Sequence, residues 1–127
     1  MEFMISLNAI NDFKDEFGDV PVLIDVLHEK VKLYWKDIDE GQMFYEDLKH
    51  PILSDSHQLR IEYHVKNIIT DQDIYAPTIA YRSDPSRFVF LDGRHTFEAL
   101  ERTEHKYIKI CVPYRQAAAL KELLGCS

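Results

Sequence analysis

Five consecutive residues, Asp92-Gly93-Arg94-His95-Thr96, carry the side chains best suited to chemistry in this chain. Arginine is a planar fork donor for phosphate oxygens. Histidine titrates near neutrality and can serve as a hydrogen-bond donor or a general acid/base. Glycine lets the backbone turn sharply or come close to a ligand. Four apolar residues, Phe88 to Leu91, lead into this group, and Phe97 and Leu100 follow it at helical spacing. The pattern predicts a buried strand, a tight turn at Gly93 and the first turn of a helix. The free N–H groups and positive dipole end of that helix would then cradle an anion, phosphate above all. An ordinary strand-to-helix corner with solvated polar residues reads the same way.

The elements that must hold this junction can be read along the chain. Leu7, Ile10, Phe13 and Phe17 mark a short N-terminal helix that Gly18 ends. Val20, Val22, Ile24 and Val26 alternate, which favours a strand, with a helix started by Pro21 as the competing reading. His28-Glu29-Lys30 would be a turn, and Val31, Leu33 and Trp35 a second strand in a hairpin with the first. Asp39 could cap a helix carrying Met43, Phe44 and Leu48 that stops before Pro51. Asp55 with Gln58 is a candidate capping box for a helix from about Ser56 to Ile69, with Ile61, Val65, Ile68 and Ile69 as its buried face. Strands over Thr78–Arg82 and Arg87–Leu91 flank the turn Ser83-Asp84-Pro85-Ser86. Phe88 to Leu91 leave no polar side, which predicts a central strand buried on both faces. The motif helix runs to about Glu101, a strand covers Tyr107–Val112, and a last helix carrying Leu120, Leu123 and Leu124 stops at Gly125. No internal repeat, linker or low-complexity stretch breaks the chain, which reads as one domain over 1–127.

Other reactive residue types form weaker patterns. His57 and His64 are seven apart and could share a helix face, but two ligands do not make a metal site, and none is expected. Cys111 falls in a strand as a small core residue, and Cys126, beside the C-terminus, reads as a free thiol. Tyr63 and Tyr81 read as core or boundary aromatics, Trp35 as a core residue or, alternatively, the wall of a ligand pocket, and Glu98 as a solvated carboxylate on the helix face.

The motif Asp92-Gly93-Arg94-His95-Thr96 followed by Phe97-Glu98-Ala99-Leu100 resembles the signature of the ParB/sulfiredoxin superfamily. Ala76-Pro77-Thr78-Ile79-Ala80-Tyr81 is similar to that family's strand after Pro-Pro, Val31 to Ile38 to its opening strand, and Glu104 to Val112 to its next strand. The resemblance covers roughly residues 31–125 and implies an α+β fold, a small mixed sheet flanked by helices, here with an N-terminal helical extension. It also implies a ligand site at Asp92, Gly93, Arg94, His95 and Thr96, with Asp37 as a further ligand-facing group or, alternatively, a turn residue. Two departures matter. Arg94 stands where sulfiredoxins carry their reactive cysteine, so peroxiredoxin repair is not expected. Thr96 stands where the family has a phosphate-holding arginine, and Arg94 would supply charge from a different direction on the helix.

Charge and composition narrow the partners. With 46% hydrophobic and 12% aromatic residues the chain is a folded globular type. A net charge of −7 argues against tight non-specific DNA binding, and the chain has no room for the helix-turn-helix domain of partition proteins. No membrane span and no secretory signal are expected, and two cysteines without a framework suit the cytoplasm. Two functions from different classes remain. One is binding of a phosphate-containing ligand, a nucleotide first, by a weak nucleotide hydrolase, nuclease or phosphotransferase with His95 as catalytic residue and Mg²⁺ held through water by Asp92 or Asp37. The alternative is a non-catalytic interaction module that kept the fold and lost the chemistry.

Overall fold

A computed structural model describes residues 1–125. Cys126 lies outside the described residues. The chain forms a mixed α+β fold with the elements β1 (Phe3–Met4), α1 (Leu7–Asp12), β2 (Pro21–Leu27), α2 (His28–Lys36), α3 (Asp39–Lys49), α4 (Leu53–Ile69), β3 (Ile74–Tyr75), β4 (Thr78–Tyr81), β5 (Phe88–Asp92), α5 (Arg94–Arg102), β6 (Tyr107–Pro113) and α6 (Ala117–Leu124). Four strands make a mixed sheet in the order β2-β6-β4-β5, while β1 and β3 pair separately and in parallel. The β2–β6 and β4–β5 pairs are antiparallel, and β4 runs parallel to β6.

Side-chain alternation along the strands gives the sheet two covered faces. Val22, Ile24, Val26, Ile79, Phe88, Phe90, Ile110 and Val112 point to the main core beneath the helices α2 to α6. Leu23, Ala80, Leu91 and Cys111 point the other way, where Ala9 and Phe13 of the N-terminal helix close a smaller cluster. That helix continues past α1 as a π-helical turn over Phe13–Phe17 and ends at Gly18 in the left-handed conformation. Its buried face is Ala9 and Phe13, and Leu7 and Ile10 are exposed rather than inward.

Several sequence expectations need correction. Val31 to Asp37 is not a strand, and the hairpin does not form: His28 to Lys36 is helix α2. The expected turn His28-Glu29-Lys30 is the first turn of that helix, and the resemblance of Val31–Ile38 to an opening strand fails with it. The cause is spacing. Leu27, Val31 and Trp35 are all buried and four residues apart, whereas Leu33 is exposed, so the helical period wins over the alternation. Strand β5 lies at the edge of the sheet rather than its centre, although both of its faces are covered in part. Helix α4 starts at Leu53, ahead of the expected Ser56, and no side chain caps it, so the Asp55/Gln58 box is not formed. Asp39 is inside α3 rather than capping it, and Met43, Tyr63 and Ile69 are exposed.

Candidate functional site

The junction at Asp92 is built as the pattern of residues demanded. Strand β5 ends at Asp92, Gly93 turns the chain with φ +92°, and α5 begins at Arg94. A Cβ on Gly93 would lie 2.7 Å from the Pro77 Cα, so a larger residue would meet backbone as well as torsional strain. The Asp92 Oδ1 accepts the Gly93 N–H at 2.8 Å, and the Phe97 N–H closes the first helical bond to the Gly93 carbonyl at 2.9 Å. Gly93 has no side chain to cap the helix, and no acidic residue stands in its first turn. The N–H groups of Arg94, His95 and Thr96 at the positive end of the dipole therefore have no capping side chain from Gly93, and the Asp92 carboxylate beside them is engaged by the Gly93 N–H.

Helix α4 lays a row of basic groups against this end. His57 Nδ1 and His95 Nε2 are 2.8 Å apart, and the two rings stack with centroids 5.1 Å apart. The other ring nitrogen of His57 faces Asp47 Oδ2 at 3.6 Å, an ion-pair distance rather than a hydrogen bond. The Thr96 hydroxyl lies 3.4 Å from His64 Nδ1. The Phe44 ring lies nearly perpendicular to those of both His57 and His95, and the Arg94 guanidinium sits 5.9 Å from the Phe44 ring centre. Burial first, then the neighbouring His57, Arg60, Arg94 and His64, pushes the His95 pKa down to about 4. Burial also lowers His64. His95 is consequently neutral at pH 7, so the charged-donor role that its type suggests is not its resting state.

The remaining candidates are arranged differently from the sequence pattern. Asp37 caps the end of α2 and lines a separate cleft of about 690 Å³ with Tyr34, Arg87 and Val89. Among the described residues no hydrogen bond or ion pair links it to Asp92 through Thr96. Thr96 is buried, so an arginine introduced there would have to bury its charge rather than reach a ligand. Asp92 has one oxygen engaged by Gly93, Asp37 is elsewhere, and no group of three His, Cys, Asp or Glu among the described residues is placed to hold a metal.

Glu98 is a buried carboxyl rather than a solvated one. Burial and the adjacent Glu101 carboxylate push it up to about 6. Its Oε2, the Tyr45 hydroxyl and the Trp35 Nε1 are buried without a protein hydrogen-bond partner among the described residues. Lys32 pairs with Glu101, and Arg102 Nε approaches Glu98 Oε1 at 3.5 Å. This carboxylate group borders a second cleft of about 440 Å³ lined by His28, Lys32, Glu101 and His105.

Sequence reasoning missed Asp47, Arg60 and the pairing of His57 with His95. The seven-residue spacing of His57 and His64 was the available signal, since it set both on the α4 face that meets α5. No family model, curated protein or solved structure matches this chain. No helix among the described residues is long and apolar enough to cross a membrane.

Proposed function

We propose that the protein binds a phosphate-containing ligand, a nucleotide first, at the start of α5, on a small ParB/sulfiredoxin-like domain. The observation that carries this reading is the uncapped N-terminus of α5 beside three histidines and two arginines, in a chain whose net charge is −7. Phosphate oxygens would accept from the N–H groups of Arg94, His95 and Thr96, with the Arg94 guanidinium as a fork donor. Hydrolysis of a nucleotide or a nucleic acid, or phosphoryl transfer, is the chemistry His95 would support. With its proton on Nε2 toward Asp47, His57 offers a lone pair at Nδ1. His95 then donates through Nε2 and keeps a lone pair on Nδ1, the state of a general base that takes a proton from an attacking water or hydroxyl.

Calorimetry against a series of nucleoside mono-, di- and triphosphates tests the reading. Binding should appear in wild type and weaken about tenfold or more in Arg94→Ala, the worth of one charge-assisted bond. Absence of binding at millimolar concentration for every member would overturn it. A second reading, a non-catalytic interaction module, is favoured by two facts: Thr96 is buried where a phosphate-holding arginine would project, and the clefts of about 690 and 440 Å³ lie away from this helix start.

A further inference from the structure

Helix α4 is apolar on two opposite sides. Its inner side buries Ile61 and Ile68 and carries His57 and His64 toward α5. On the outer side Leu59 and Tyr63 are 70% and 64% exposed, and Ile52, the residue that leads into the helix, is 78% exposed. At about 100° per residue these three fall within roughly 40° of one another, opposite Ile61 and Ile68. Single exposed apolar residues are common, but a stripe that runs from the residue leading into a helix to Tyr63 is the pattern of a helix that packs on both sides.

We propose that this stripe is the contact between two copies of this chain, packed as antiparallel α4 helices about a twofold axis level with residues 60–61. Charge selects that occupant. Asp55 and Lys66 are exposed, form no ion pair among the described residues, and lie on the same flank of the stripe at nearly equal distances from that level. A twofold axis across antiparallel helices sets each flank against the same flank of the second copy. Asp55 then meets the second copy's Lys66, twice over, while Leu59 covers the second copy's Tyr63. Parallel packing in the same register would instead set each flank against the opposite flank of the second copy, and Asp55 and Lys66 would not meet. Glu62 stands further round the same flank, and Arg60 is about a quarter turn away on the other, so neither enters the seam. His57 and His64 face inward, and the start of α5 stays uncovered.

Sedimentation velocity over a wide concentration range tests the contact on the full chain. Wild type should associate reversibly to a dimer, and Leu59→Glu should be monomeric at every concentration while keeping its circular dichroism melt. Asp55→Lys should weaken the dimer about tenfold, because two surface attractions become repulsions. The double change Asp55→Lys with Lys66→Asp should restore wild-type affinity. A wild type that stays monomeric at the highest concentration overturns the proposal, as does a dimer that Leu59→Glu leaves intact. A double variant as weak as Asp55→Lys alone overturns the antiparallel pairing.

Discussion

Helix α5 carries two titratable groups three residues apart, and they live in opposite surroundings. At its start His95 meets His57, His64, Arg60 and Arg94, and its pKa falls to about 4. One turn on, Glu98 lies beside Glu101 and near the buried Tyr45 hydroxyl, and its pKa rises to about 6. Burial disfavours the charged form of each, and like-charged neighbours add to the effect in both cases. The two regions differ in how their charge is answered. Lys32 and Arg102 neutralise the carboxylates from within the protein. Nothing acidic stands in the first turn of α5, and the acidic groups nearest the histidine region are Asp47, 3.6 Å from His57, and Asp92, which accepts from the Gly93 N–H ahead of the helix. The carboxylate region reads as internal support, and the histidine region is the ligand site we propose.

The largest effect should come from removing what joins the two regions. Phe97 is fully buried and touches Trp35, Phe90 and the stacked His28. Phe97→Ala should cost about 3–5 kcal/mol in denaturant melts. A loss below about 1 kcal/mol would mean that the two sides of α5 are not one packed unit. Gly93→Ala comes next, at about 1–3 kcal/mol, since alanine would hold a left-handed φ and press on Pro77. It should also weaken phosphate binding, so the same substitution acts on both fold and site rather than on binding alone. A stability change within about 0.5 kcal/mol would contradict the geometry at the turn.

The pH dependence separates the regions by sign. His95 binds its proton less well when folded, so its contribution to stability is full above about pH 6.5 and is lost as the pH falls toward 4. Glu98 binds its proton more tightly when folded, so its contribution is full below about pH 4.5 and is lost as the pH rises through 6. Glu98→Gln should therefore raise the melting temperature at pH 7 relative to wild type, with the gain shrinking to nothing near pH 4. His57→Ala should have the smallest effect at pH 7. It should appear on the acid side, where losing one neighbour lets His95 protonate at higher pH. An unchanged His95 titration in that variant would remove His57 from the account.

The junction was legible because three signals coincide there: an apolar run, an Asp-Gly stop and a helical restart at Phe97. The strand β2 and the last helix were legible for similar reasons. Helix α2 was not, because Val31, Leu33 and Trp35 alternate as a strand does, and only the burial of Leu27, Val31 and Trp35 reveals the four-residue period. Phe88 to Leu91 lack a polar side because both sheet faces are covered, a condition that an edge strand can meet as well as a central one. Glu98 was misread since a carboxylate on a short helix is ordinarily solvated, and its burial comes from tertiary packing that its own segment does not encode. The histidine partners were invisible as a group because α4 and α5 are brought together only by the fold.

The central claim is that His95 is held neutral at an uncapped helix end that awaits an anion. Histidine ring resonances followed by NMR from pH 3 to 8, with and without sulfate, test it most directly, because sulfate does not change charge over that range. The account predicts a His95 pKa near 4 in the free protein, a clear rise when sulfate is present, and shifts in the amide signals of Arg94, His95 and Thr96. A His95 pKa near 6.5 that sulfate leaves unmoved, with those amides unchanged, would contradict it.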